Sequence, residues 1–168
     1  MTTDPRATPA GAFQLRAATL DDVGAIAEVW HSGWIDGHLG HVPEALFEHR
    51  RPADFLRRVP PRIACTTVAV VDGRVAGFVT VHDDEVEQLF VAAAARGSGV
   101  ASALLDLAER QIGDRHAVTW LAVAAGNARA RRFYERCGWQ DRGGFEYAAE
   151  IAGGTLPVPC RRYEKNLR

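Results

Sequence analysis

The chain has 168 residues, 47% of them hydrophobic, a formal net charge of −1 and three cysteines. That length and apolar content suit one domain that buries its own core, and the near-neutral charge leaves no global positive field to gather nucleic acid or anionic lipid. Cys65, Cys137 and Cys160 are odd in number, far apart and without a Cys-x-x-Cys pair, which argues against a disulfide framework or a zinc site and suits a reducing cytoplasm.

Residues 1–11 hold Pro5, Pro9 and small polar residues but no apolar run of signal-peptide length, so a flexible segment is expected there, ahead of a single soluble domain over 12–168. Phe13-Gln14-Leu15-Arg16-Ala17 alternates as a first strand would. Thr19 then caps a helix with Val23, Ile26, Ala27, Trp30 and Trp34 on one side and Asp21, Asp22 and Glu28 on the other. Gly37 and Gly40 break that pattern, so Trp34 to His41 reads as a loop or ragged helix end. Pro43 opens a second helical segment through Arg50, and Pro52 to Val59 a further short turn.

Thr66–Val71 and Arg74–Val81 are β-branched runs joined by Asp72-Gly73, the pair favoured in a two-residue hairpin turn. Asp83-Asp84 leads into a strand from Val86 to Val91, and the helix that follows the next loop should turn Val100, Leu104, Leu107 and Ala108 inward until Gly113. Val118–Ala124 reads as a buried strand and Asn127–Cys137 as a helix stopped by Gly138. Trp139–Phe145 and Val158–Glu164 can close the sheet, with the glycine-rich stretch between them, Tyr147 to Pro157, expected to be mobile.

The chemistry concentrates between the Val86 strand and the next helix, where Arg96-Gly97-Ser98-Gly99-Val100-Ala101 forms a small-residue loop opening a helix. Backbone amides converge there, the helix dipole adds roughly 0.3 to 1 kcal/mol per anionic charge, and Arg96 brings a full positive charge, so the loop should bind phosphates. A nucleotide P-loop is excluded because no lysine follows the glycines. A dinucleotide fingerprint fits poorly, since Trp120, Leu121 and Ala122 stand where an acidic residue would be needed. Arg-x-x-Gly-x-Ala after an apolar strand resembles instead the acyl-CoA signature of the GNAT superfamily of N-acyltransferases. The helix from Asn127, with Phe133-Tyr134 and then Gly138-Trp139, is similar to the later motif of that family. One departure is Ala93, where the family often has proline.

The resemblance implies an α/β fold with a mixed, mostly antiparallel sheet flanked by helices and splayed between its fourth and fifth strands. It implies acetyl-CoA as acyl donor, held by Leu89, Phe90 and Val91 along the pantetheine, by Arg96, Gly97, Ser98, Gly99, Val100 and Ala101 around the pyrophosphate, and by Asn127, Ala130, Phe133 and Tyr134 of the later helix. An amine then attacks the thioester directly in a ternary complex. Glu87 is the expected base, with Asp84 and Glu85 as alternatives, and Tyr134 the general acid toward the departing sulfur. Asn127 also suits an N-cap. Arg129, Arg131 and Arg132 could meet a ribose phosphate or face solvent.

Trp34, Asp36, His38 and Tyr147 are the expected contacts of the acceptor, a small-molecule amine in preference to a protein amine. His31, His38 and His41 have no spacing that fixes a metal, so none is expected. A noncatalytic acyl-CoA sensor is the rival reading, which needs the loop but no acid or base. A homodimer is left open by the sequence.

Overall fold

The computed structural model describes residues 12–168, and the segment 1–11 expected to be flexible lies outside the described residues. Seven strands form one sheet in the order β1-β2-β3-β4-β5-β7-β6. They are β1 (Phe13–Ala17), β2 (Thr66–Val71), β3 (Arg74–His82), β4 (Glu85–Val91), β5 (Val118–Ala124), β6 (Gln140–Ile151) and β7 (Gly154–Asn166). All neighbours pair antiparallel except β4 and β5, which run parallel. The helices are α1 (Val23–His38), α2 (Pro52–Arg58), α3 (Val100–Gly113) and α4 (Ala128–Arg136).

Local chemistry sets most boundaries. Asp72 and Gly73 take positive φ, +49° and +75°, as the tight β2–β3 turn requires. Asp22 ends the 3-10 turn before α1, accepts the backbone N–H of Thr19 at 2.8 Å and receives both guanidinium nitrogens of Arg16 at 2.7 and 2.9 Å, which ties β1 to the start of the helix. Asn127 caps α4 through its side-chain oxygen, 3.2 Å from the Ala130 amide.

Each face of the sheet carries its own apolar layer. On one, α1 and α2 bring Trp30, Trp34 and Phe55 onto Val68 and Phe78, with the Trp30 and Phe55 rings edge to face at 5.3 Å. On the other, α3 lays Val100, Leu104, Leu105, Ala108 and Ile112 against Val79, Val86 and Leu121. Leu105, which the periodicity reading left out, is fully buried, and Leu107, which it placed inward, is only half-buried. Burying each such side chain is worth about 1.5 to 3 kcal/mol.

Two segments differ from the sequence expectation. The first helix does not break at Trp34 but continues to His38. A Cβ on Gly33 would stand 2.6 Å from Phe90 Cδ1, and one on Gly37 2.8 Å from Asn127 Nδ2, so these glycines serve close packing inside a helix and do not end it. The stretch Tyr147 to Pro157 is not a loop either. It is the paired end of the β6–β7 hairpin, in register from Tyr147↔Val158 to Ile151↔Gly154. Ala152-Gly153 make the turn, with Gly153 at φ +82°.

Candidate active site

The parallel strands β4 and β5 touch at one register pair, Glu85↔Trp120, and separate beyond it. Asp84 fastens the closed end, its carbonyl accepting from the Trp120 amide at 3.1 Å and the Thr119 hydroxyl at 2.9 Å, and its carboxylate accepting from Trp120 Nε1 at 3.1 Å. The open end leaves the β5-facing side of β4 without a strand partner over Leu89 to Val91, while the other side stays paired with β3. Two cavities flank this gap, of about 500 and 410 Å³.

The larger cavity gathers nearly every residue expected around the acyl donor. Leu89, Phe90 and Val91 form its strand wall. Arg96, Gly97, Gly99, Val100 and Ala101 supply the loop, where Gly97 and Gly99 sit at φ +78° and +88° and Gly99 is the N-cap of α3. Asn127, Ala130, Phe133 and Tyr134 come from α4. Ser98 is turned away from the lining and donates its hydroxyl to the Ala95 carbonyl. Arg129 also lines the cavity, whereas the half-buried Arg131 is spent on the Ala125 carbonyl at 3.0 Å, the Tyr163 hydroxyl at 3.2 Å and Asp141 at 3.3 Å. Gly33, Gly37 and Arg136 line it unanticipated by sequence. The spacing of the two glycines, one helical turn apart, was the available signal.

The smaller cavity is walled by Trp34 and His38 of α1, Tyr147 of β6, and Glu85, Glu87 and Gln88 of β4. Glu87 is the extra residue of a bulge, since Thr80 pairs with Gln88 and Val81 with Val86. Its Oε1 accepts from Arg62 Nε at 2.6 Å, and Arg62 Nη2 reaches Glu150 at 2.8 Å. Glu85 accepts from the Tyr147 hydroxyl at 2.9 Å. Burial raises the Glu85 carboxyl above the usual carboxylate range, against the pull of that hydrogen bond, and burial with the Glu85 charge pushes the Tyr147 phenol up.

Asp36 is not part of this wall. It forms an ion pair with Arg96 of the phosphate loop at 2.7 Å. His38 stacks on Trp34 with centroids 4.8 Å apart, its Nδ1 donates to the Trp34 carbonyl at 2.8 Å, and burial lowers its pKa to about 4, so the ring is neutral at pH 7. His31 packs edge-on against Phe55 at 5.3 Å. Among the described residues no group of three His, Cys, Asp or Glu side chains could hold a metal, and no helix is long and apolar enough to cross a membrane.

Leu89, Phe90, Asn127, Ala130 and Tyr134 line both cavities, so the two meet at the splay. Burial raises the Tyr134 phenol, which therefore keeps its proton, and no hydrogen bond of its hydroxyl is found among the described residues. Burial also pushes Cys160, on the wall of the smaller cavity, up to about 11, and Cys137 upward, so neither is a ready nucleophile.

A splayed parallel pair with a glycine-rich loop at its mouth is the arrangement that the resemblance to acyl-CoA N-acyltransferases implies. The sequence model of the Acetyltransferase (GNAT) family matches residues 26–139, and the chain belongs to that family. Uncharacterized N-acetyltransferases of Mycobacterium bovis and Mycobacterium tuberculosis are 31% identical to it over 112 residues, 63% of this chain and 70% of theirs.

Solved structures share the fold at lower identity. A GCN5-related N-acetyltransferase from Rhodopseudomonas palustris superposes with TM-score 0.72 at 20% identity, covering 91% of this chain and 94% of that one. The protein yncA of Salmonella typhimurium, solved with its cofactor acetyl-CoA, gives 0.67 at 18%, covering 94% and 95%. PaiA N-acetyltransferase of Thermoplasma acidophilum, in complex with coenzyme A, gives 0.65 at 16%, covering 92% and 99%.

Proposed function

We propose that this enzyme moves an acetyl group from acetyl-CoA to the primary amine of a small molecule, by direct attack in a ternary complex. The observation that carries the reading is the junction of the two cavities at Leu89, Phe90 and Tyr134, which lets a thioester enter from one side and an amine from the other. The free backbone of Leu89 to Val91 suits the pantetheine amides, and the amides from Gly97 to Ala101 with Arg96 suit the pyrophosphate. Walls from α1, β4 and the β6–β7 hairpin enclose the acceptor side, which favours a small molecule over a protein chain.

An alkylamine with pKa about 10.4 is free base in roughly one molecule per few thousand at pH 7, so its proton must be taken. Glu87 and Glu85 both line the acceptor side and could do so through one water. The arginine already bound to one oxygen of Glu87 and the raised pKa of Glu85 favour Glu85 as the proton acceptor. As the new C–N bond forms and the C–S bond breaks, backbone N–H groups near Phe90 steady the oxyanion, and Tyr134 donates its hydrogen bond to the leaving thiolate. A phenol raised above pKa 10 does not hand its proton over fully to a thiol near 8.5, so Tyr134 stabilises the thiolate charge as it develops.

Release of free thiol from acetyl-CoA across a panel of amines tests the proposal, with acetyl-CoA uptake followed by calorimetry. Thiol release dependent on one class of amine is expected. Uptake without release for any amine would instead mark a sensor, and absence of uptake would end the reading altogether.

A further inference from the structure

The acceptor cavity holds more positive charge than its own carboxylates engage. Arg50, after the 3-10 turn Glu44–His49, and Arg58, at the end of α2, are 4% and 7% exposed, and both line the cavity. Neighbouring Arg62 takes up Glu87 and Glu150. Arg50 donates through Nη1 to the His49 carbonyl at 2.9 Å, and no ion pair of Arg50 occurs among the described residues. Arg58 lies 4.4 Å over the Trp30 ring, and its one carboxylate neighbour, Glu150, stands 3.9 Å from Nε, beyond hydrogen-bond reach.

The Nε atoms of Arg50 and Arg58, and Trp30 Nε1 beside Arg58, are closed off without a hydrogen-bond partner, whereas Nη2 of Arg50 and both terminal nitrogens of Arg58 stay accessible and make no hydrogen bond among the described residues. A buried cation whose donors go unmatched is costly to the fold, so the open terminal nitrogens of two such cations on one cavity wall call for an anionic acceptor supplied by the ligand. Burial and the charges of Arg50 and Arg62 bring Arg58 down to about 9, with Glu150 and Glu87 offsetting only part of that. The β4 and β6 walls have the opposite character, with Glu85, Glu87 and Tyr147 offering acceptor oxygens to a cationic group.

We infer that the acceptor is a small zwitterion, an amino acid or close analogue with free amine and free carboxylate, whose carboxylate is gripped by Arg50 and Arg58 over Trp30 while its amine faces Glu85 and Glu87. This rests on the amine-acetylation reading above. A donor with a carboxylated acyl chain, such as succinyl-CoA, would also satisfy the arginines, but it would leave the acidic wall without a cation. The zwitterion answers both walls at once.

The test uses matched sets, each amino acid beside its primary amide and its decarboxylated amine, with acetyl-CoA and thiol release as readout. The carboxylate member is expected to show kcat/KM at least about 10-fold above its amide, although amidation lowers the amine pKa and by itself favours reaction. In Arg50→Gln and Arg58→Gln the KM of the amino acid should rise about 10- to 100-fold and its advantage over the amide should collapse. Acetyl-CoA uptake by each variant reports that it has folded, and the wild-type preference decides the matter if a variant has not. Equal or better turnover of amides or decarboxylated amines overturns the zwitterion while leaving amine acetylation intact. Faster turnover of succinyl-CoA than acetyl-CoA, lost in Arg50→Gln, assigns the arginines to the donor and overturns it as well. No thiol release with any amine brings down both readings together.

Discussion

Arg62 Nε stands 2.6 Å from Glu87 Oε1, a contact made between the turn after α2 and the bulge of β4, across 25 residues of sequence. It commits one oxygen of Glu87 to a guanidinium and leaves Glu85, two residues earlier, as the acid on the same wall with a raised pKa. The pH profile of kcat/KM should therefore show an acid limb belonging to Glu85, lying above the usual carboxylate value of 4.5. Glu85→Gln should abolish that limb. Glu87→Gln should lower the rate while leaving the limb in place, and a limb that vanishes in Glu87→Gln alone would transfer the role to Glu87.

Tyr134→Phe separates a catalytic hydroxyl from a packing ring. The hydroxyl has no hydrogen bond among the described residues, so its removal should shift the urea midpoint little, while the ring keeps its edge-on packing on Phe133 at 5.2 Å. Turnover should fall about 10- to 100-fold with CoA affinity nearly constant. Unchanged kcat would remove the hydroxyl from the mechanism.

Gly37→Ala sets two effects against each other. Alanine is intrinsically better in a helix by about 1 kcal/mol, yet its Cβ would stand 2.8 Å from the amide nitrogen of Asn127, the cap of α4. Asn127 must move, and it lines both cavities. We expect a net loss of about 1 kcal/mol or more in denaturant unfolding and a weaker acetyl-CoA Kd, where helix propensity alone predicts a gain.

Asp36 holds Arg96, the cation of the phosphate loop, from 60 residues away. Both side chains are partly exposed, so the pair itself contributes no more than about 1 kcal/mol. Asp36→Asn removes a negative charge beside the expected pyrophosphate and should tighten CoA binding by up to about fivefold at low salt, with the gain fading as salt rises. Weaker binding in Asp36→Asn would show that the ion pair orders the loop.

Acid stability should fall in two stages. His38 has a folded pKa near 4, below its ordinary 6.5, so the unfolded chain binds the proton more readily and stability is lost as pH drops from 6.5 to 4. The loss is on the order of 2 to 3 kcal/mol. Asp22, held near 2 by the hydrogen bond from Arg16, adds stability that is present above 3.8 and is lost between 3.8 and 2. Urea midpoints at pH 7.5 and 5 should differ clearly in the wild type and much less in His38→Gln. Equal drops in the two proteins would refute the first stage.

What the linear chain settles here is what neighbours in sequence can encode. The Asp72-Gly73 turn, the Asn127 cap, the Gly97 to Ala101 loop and the α4 face of Phe133 and Tyr134 are each written within a few consecutive residues, because turns, caps and helix periodicity depend on local backbone geometry. Gly37 misleads at that range, since a glycine that ends a helix and one that admits a neighbouring side chain look alike until the neighbour is placed. Trp34, His38, Tyr147, Glu85 and Glu87 of the acceptor cavity are named by the sequence, but its arginines are beyond reach for the same reason. Arg62 meets Glu87 and Glu150 across 25 and 88 residues, and Arg50 and Arg58 reach the cavity only because α2 packs beside α1 while the β6–β7 hairpin folds over it. Which charges find partners, and which are left buried without them, is decided by that packing alone.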